Sequence, residues 1–272
     1  MSAMEFSELQ THLDEFVNSG FVVVKNCIDR ETTDWAQRRM GERLSEMTGE
    51  TTNCTDGFLK AIESREQYLV QEDLGQLLDQ EGLYEKVFLS PRLLSVLTGI
   101  LGPDLAYLRD LQIIANVKDN NESYYLKPPH QEVWSGASPN SIYVWFPLLL
   151  EPGMGTVEHV PGSHTWGLLP NRDRRPTELP DEVNYVCPDM TEADALVFHT
   201  LTLHRSVPNP HDKPRLSITT AVRNFQHAFG GHQQLFSWKP FHHSPISKIQ
   251  RVLGNPWLTP WRTYGSGRDV IE

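Results

Sequence analysis

The chain has 272 residues, 39% of them hydrophobic and 10% aromatic, which is enough to bury a sizeable core in one large domain or two small ones. A formal net charge of -11 leaves no basic footprint for phosphate and argues against nucleic acid, while Cys27, Cys54 and Cys187 form no CxxC pair and suggest neither a zinc ribbon nor a disulfide framework. The start, MSAMEFSELQ, lacks the basic and apolar regions of a signal peptide and no stretch has the length of a membrane span, so a soluble cytoplasmic protein is expected, with no membrane partner.

No internal repeat or linker is evident, and the whole of 1–272 reads as a single domain. Its first part, about 1–104, is largely helical. Ser7 and Gln10 have capping-box spacing, and Leu9, Leu13, Phe16 and Val17 share a helical face before Gly20. Phe21 to Val24 is a short apolar run that predicts a buried strand. A second helix is expected from Asp29 or Arg30 to Met47, with Trp35, Met40, Leu44 and Met47 as its apolar positions. Ser90-Pro91 caps a further helix that stops at Gly102. From Leu105 to about 226 the pattern changes to strand-length apolar and β-branched runs between Gly, Pro and Asn clusters. They are Leu111 to Val117, Ser141 to Leu150, Ala195 to Phe198 and Leu216 to Val222, and they suggest an antiparallel sandwich or barrel. Leu169 to Asp189 is polar and proline-rich and reads as a long surface loop. The segment 227–272 carries Trp238, Trp257 and Trp261, and either packs back on the barrel or makes a subunit contact, which leaves a homodimer open.

The chemistry concentrates in Lys127-Pro128-Pro129-His130-Gln131-Glu132. If this stretch is extended, His130 and Glu132 point to one side. An imidazole and a carboxylate suit a divalent first-row metal, and His204, after the run Ala195 to Phe198, is the candidate third ligand. Alone, the HxE pair is weak, because such pairs are usually two surface residues. Eleven residues after His204 comes Arg215, at the head of the next strand-like run, where its guanidinium could clamp a carboxylate with two parallel hydrogen bonds. Three protein ligands on one face of an octahedral Fe(II) leave three positions, two for a chelating 2-oxo acid and one for O2.

The sequence resembles the phytanoyl-CoA dioxygenase family over most of its length. The likeness lies in the opening helix followed by SGFVVVKNCID, in PHQE, in GTVEHVPGSHTWGLLP, and in DALVFHTLTLHRS followed by KPRLSI, all in the family's order. That resemblance implies a mainly β fold with flanking helices, a double-stranded β-helix or jelly-roll barrel. It also implies oxidation of a small molecule coupled to decarboxylation of 2-oxoglutarate. His130, Glu132 and His204 would hold Fe(II). Arg215, Ser206 and Trp145 would bind 2-oxoglutarate. Glu132 departs from the family's usual Asp, and Pro129 stands where an aromatic residue often precedes the histidine. The retained carboxylate argues against halogenation, for which relatives give up this ligand.

Competing readings surround this site. His159 and His164 flank the PGSH turn and suit a structural role in that loop. His199 would face away from His204 on an unbroken strand, His242-His243 suits the surface, and His211 belongs to a polar loop. Trp134, two beyond Glu132, is a substrate-pocket aromatic or a core residue. Lys127 reaches the cavity or marks a strand start, and Arg223 shares parity with Arg215 and could meet an anionic substrate. Arg172, Arg174 and Arg175 could neutralise an anion, but a solvated loop is the better reading of the two. The substrate is thus a small molecule with only slight reason to call it anionic, and a tailoring step in secondary metabolism is favoured. The alternatives are an inactive ligand-binding barrel and a cupin-like metal isomerase.

Overall fold

A computed structural model of the chain describes residues 4–109, 113–120, 122–227 and 238–253. The chain opens with helix α1 (Phe6–Ser19), which ends where Gly20 turns left-handed at φ 80° and its N–H reaches back to the Phe16 carbonyl. Strand β1 (Phe21–Val24) follows at once. Helices α2 (Arg30–Thr48), α3 (Cys54–Ser64), α4 (Gln67–Gln80), α5 (Leu83–Phe88) and α6 (Pro91–Leu101) then complete a helical layer. The strands are β2 (Leu105–Leu108), β3 (Ile113–Asn116), β4 (Ser141–Leu149), β5 (Val157–His159), β6 (Asn171–Arg172), β7 (Arg175–Pro176), β8 (Ala195–His199), β9 (His204–Ser206), β10 (Arg215–Asn224) and β11 (Trp238–His242), before α7 (Pro245–Leu253).

The expected antiparallel architecture with flanking helices is present. A large sheet runs β1-β8-β4-β10-β2-β11, with β3 also paired to β10, and β5-β9 forms a small second sheet. Backbone hydrogen bonds do not close the two sheets into a continuous barrel among the described residues. A cavity of about 980 Å³ separates them, lined by Tyr143, Trp145, Phe198 and Thr219 from one side and Val157, His204 and Ser206 from the other.

Strand periodicity explains how one sheet serves two purposes. Ile142, Val144 and Phe146 of β4, with Leu216, Ile218 and Val222 of β10, pack into the main core beneath the helices. The residues of opposite parity, Tyr143, Trp145 and Thr219, face the cavity. At the far end of the helical side, Tyr84 stacks on Tyr107 at 4.9 Å, and the Tyr107 hydroxyl donates to Asp79.

Several local expectations are corrected. The Ser7–Gln10 capping box does not form, because the helix has begun by Phe6, and Val17 is exposed rather than on the buried face. Ser90 makes no side-chain cap, although Pro91 does open α6. The polar stretch read as a loop contains the β6-β7 hairpin. Glu132–Ser135 form a 3-10 turn, so strict alternation does not run on from His130. From the C-terminal segment, β11 joins the large sheet and Trp238 packs with Ala106, Leu108, Ala221 and Phe225. Trp257 and Trp261 lie outside the described residues. Cys27, Cys54 and Cys187 are all free thiols, and among the described residues no helix is long and apolar enough to cross a membrane.

The N-terminal helix is tied to the loops around the small sheet at Gly20. Thr202 donates its hydroxyl to the Gly20 carbonyl, and the His164 ring donates to the Val17 carbonyl. A Cβ on Gly20 would lie 2.4 Å from His164 Nδ1 and 2.7 Å from Thr202 Oγ1, whereas Gly49, with φ 74°, has open space around it. Gly49→Ala should therefore cost only the left-handed backbone penalty of about 1–2 kcal/mol. Gly20→Ala should cost clearly more, as read from urea unfolding midpoints. Equal losses would show that the packing at Gly20 is not held by these contacts.

Candidate metal centre

His130 and His204 lie opposite each other in an isolated antiparallel bridge. The His130 amide donates to the His204 carbonyl at 2.9 Å, and the His204 amide returns a bond at 3.1 Å. Residues so paired must have neighbouring side chains, and the two rings have centroids 4.1 Å apart. Glu132 enters from the 3-10 turn, its Oε1 standing 3.3 Å from His204 Nε2 and 3.6 Å from His130 Nε2. Among the described residues this is the one cluster of His, Cys and carboxylate groups whose ligand atoms converge, all within 4.8 Å of one another.

The protonation pattern suits a cation. His130 Nδ1 lies 2.8 Å from the Pro128 carbonyl and His204 Nδ1 lies 2.9 Å from the Thr202 carbonyl. A carbonyl only accepts, so each Nδ1 donates there and Nε2 is the ring atom turned towards Glu132. Burial alone would raise the Glu132 carboxyl, but the two imidazoles beside it prevail and hold it well below the usual range. Burial first, then neighbouring His130, lowers the His204 ring against the pull of Glu132. Two imidazole Nε2 atoms and one carboxylate thus face a common point. Divalent first-row ions bind such atoms at about 2.1 Å, which places adjacent ligands roughly 3 Å apart. The donor set and its spacing fit Fe(II).

The support around the ligands is largely invisible to sequence reasoning. Gln131, fully buried, donates Nε2 to the carbonyls of Gly167 and Leu201 and accepts from the Leu169 amide, so it pins both ligand-bearing segments to the PGSH region. Ser163 accepts from the Leu203 amide and donates to the Val160 carbonyl. His159 is not merely a loop residue. It pairs with His204 across β5-β9 and its ring stacks on His204 at 5.2 Å, with Phe21 and Phe198 against it. Its Nδ1 bonds the Val157 carbonyl, and its buried Nε2 has no partner.

The other singled-out residues divide. Ser206, Trp145 and Lys127 line the cavity, and Ser206 Oγ accepts from the Lys127 amide. Trp134 does not line it; the 3-10 turn sends its indole to the Leu169 carbonyl. Arg223 is buried with Nη2 on the His227 carbonyl and its guanidinium over Trp238, away from the cavity lining. Arg215 projects from β10 on the parity of Ser217 and Thr219 but is not among the residues that line the cavity. Its Nη atoms donate to the carbonyls of Met154, Gly155 and Val207 and to Asn116 Oδ1, while Nε is buried without a partner. No carboxylate of the described residues pairs with it, and burial pulls its pKa down to about 10, still cationic at neutral pH. Tyr143 could have been found from its alternation with Trp145. Asn116 carries no comparable signal.

A family model described as phytanoyl-CoA dioxygenase matches residues 16–217. The chain is 25% identical over 267 residues to the 1-deoxypentalenic acid 11-beta-hydroxylase of Streptomyces exfoliatus, covering 90% of this chain and 92% of that protein. Among solved structures, the apo non-heme monooxygenase ThoJ superposes with a TM-score of 0.59 at 19% identity, covering 85% of this chain and 83% of that one. The epimerase SnoN in complex with Fe3+, alpha ketoglutarate and nogalamycin RO gives 0.56 at 14% identity, with 89% and 90% coverage.

Burial, then the adjacent His204, keeps His159 unprotonated in the fold, well below the usual histidine range. The unfolded chain takes up that proton below a pH of about 6.5, so stability falls as pH drops from there. In metal-free protein the wild type should lose about 1.4 kcal/mol more than His159→Phe between pH of about 7.5 and about 5.5, by urea titration. Parallel losses would mean that His159 is protonated in the folded state.

Proposed function

We propose, from the premise that this chain belongs to the phytanoyl-CoA dioxygenase family and is a non-haem iron, 2-oxoglutarate-dependent oxygenase, that it oxidises a C–H bond of a small organic molecule in a tailoring step. The observation that carries this reading is the convergence of His130, Glu132 and His204 at the wall of a cavity far larger than a five-carbon diacid needs. In the hydroxylating form, substrate, 2-oxoglutarate and O2 give the alcohol, succinate and CO2. The relatives' reactions include hydroxylation and epimerisation, and hydroxylation is the form we favour.

His130, Glu132 and His204 are the ligands in this reading, and the iron they hold supplies the oxidising chemistry when bound with its co-substrate. The protein's own contributions are positional. The carbonyls of Pro128 and Thr202 fix which nitrogen of each imidazole is offered. Gln131 holds the backbone on which Glu132 sits. Glu132 reaches the site from a 3-10 turn rather than from a strand, so its additional methylene is absorbed by a different backbone path from the one alternation predicts. Arg215 is a buried cation whose neighbours are dipoles and whose Nε is unmatched. A buried charge of this kind calls for a counter-charge, and the far carboxylate of 2-oxoglutarate supplies it in our assignment, with Ser206 and Trp145 on the adjoining wall. Trp145, Phe198 and Val157 keep the space beside the ligands apolar.

Anaerobic titration of the Fe(II) protein with 2-oxoglutarate should produce the weak visible charge-transfer band of the chelate, followed on admission of O2 by slow succinate release. Glu132→Ala should show neither. Arg215→Lys keeps the charge but removes the unmatched Nε donor, and should bind metal normally while needing at least about tenfold more 2-oxoglutarate. An iron-loaded wild type that gives no band would overturn the oxygenase reading, and unchanged 2-oxoglutarate affinity in Arg215→Lys would remove Arg215 from the clamp.

A further inference from the structure

The solvent side of the cavity carries positive charge that the fold itself does not use. Strands β6 and β7 make a two-residue hairpin whose tip, Asp173-Arg174, has φ of 53° and 58°. Two successive left-handed residues suit a tight hairpin, but that conformation is ordinarily left to Asn and Gly, and a residue with a long side chain is strained there. Arg172, Arg174 and Arg175 nevertheless occupy this hairpin, and all three line the cavity. Lys127 lines it too, with its Nζ 4.6 Å from the centre of the Tyr124 ring. Burial, together with the charge of Arg174, lowers the Lys127 ammonium against the pull of Glu132, which places the two cations within electrostatic reach of each other.

Many cations elsewhere in this acidic chain find carboxylates. Arg39 pairs with Glu42 and Glu81, Arg43 with Glu46 and Asp73, Arg205 with Glu158, and Lys213 with Glu151. With 35 acidic against 24 basic residues, pairing is the expected outcome for a surface arginine. Lys127, Arg172, Arg174 and Arg175 have no such partner among the described residues. Of the two carboxylates on the cavity, Glu132 is committed to the metal ligand set and Asp173 sits at the hairpin tip without pairing to its neighbours. Below this charge the wall is apolar and aromatic, with Ile114, Tyr143, Trp145, Val157 and Phe198. The site is therefore cationic at its entrance, greasy in its body and metal-binding at one wall.

We propose that Arg172 and Arg174, with Lys127, bind the carboxylate of a substrate whose hydrocarbon body lies against Tyr143, Trp145 and Phe198. The substrate class is then an apolar carboxylic acid. This rests on the oxygenase reading above for its chemistry, though not for its anion site. Guanidinium forks match a carboxylate bidentately, and an anion fixed at the entrance would set which carbon stands before the ligand triad. The arginine at a strained tip is consistent with recognition outweighing local stability.

Decanoate and decanamide, which differ in charge but scarcely in shape, test this by calorimetry on protein loaded with Mn(II) and 2-oxoglutarate. Wild-type protein should prefer decanoate by at least about tenfold, and the preference should shrink as salt rises. In Arg172→Gln/Arg174→Gln, decanoate affinity should fall about tenfold while decanamide and 2-oxoglutarate bind as before. Arg174→Gly relieves the left-handed strain, so it should melt slightly higher than wild type yet bind decanoate several-fold more weakly. The proposal is overturned if the variants hold decanoate as tightly as wild type, or if the double variant loses 2-oxoglutarate rather than decanoate, which would assign the cations to the co-substrate. Repeating the comparison on metal-free protein reads the anion site even where metal binding fails, so the two readings fall separately.

Discussion

The site depends on a single feature of backbone pairing, in which His204 sits between two other histidines. On one side it exchanges both peptide hydrogen bonds with His130, and on the other it pairs with His159 in the small sheet. Cross-strand geometry then brings three imidazoles side by side without any side-chain contact having to be specified. Two of them are candidate ligands because their Nε2 atoms meet Glu132, while the third is enclosed by Phe21 and Phe198 and backs the middle ring. Everything else about the centre adjusts this arrangement. Gln131 and Ser163 brace the segments that deliver the ligands, and the ring orientations follow from carbonyls two residues upstream. The PGSH turn is thereby tied to function, since it anchors Gln131 on one side and the N-terminal helix on the other.

Charge is distributed with a similar economy. The chain is strongly acidic, and its surface arginines are mostly absorbed into ion pairs that contribute little to stability individually. Arg215 and the cations at the cavity entrance make no such pair among the described residues. Arg215 is deep and surrounded by dipoles, and the hairpin arginines with Lys127 are at the entrance. A deep cation in a desolvated setting and a set of shallow ones in a wetter setting act over different ranges. The first can fix a small diacid tightly, and the second can gather and orient a larger anion.

The convergence of His130, Glu132 and His204 is legible in the sequence because chemistry limits which side chains can hold iron, and because PHQE, PGSH and the distal histidine keep their order along the chain. Strand parity is legible as well: Trp145 and Thr219 face inward as alternation requires. What alternation misplaces is Trp134, since the 3-10 turn at Glu132 breaks the period two residues too early. Parity also puts Arg223 on the inner face, but the cavity ends before reaching it. The parts that Gln131 and His159 play are not legible for a different reason. Their value lies in partners distant in the chain, Leu201 for one and His204 for the other, and no local pattern encodes those meetings. The hairpin is missed because its strands are two residues long and its polar composition reads as loop.

That hairpin is bonded as a sheet only to itself, and its residues through Arg175 are exposed. It takes no part in the hydrophobic core that holds the sheets and helices together. The parts of the molecule that decide whether the chain folds and the part that meets incoming molecules are thus physically separate. Substitutions at 171–175 can be sampled with little penalty to the scaffold, so substrate preference in this protein is free to drift faster than its fold or its metal site.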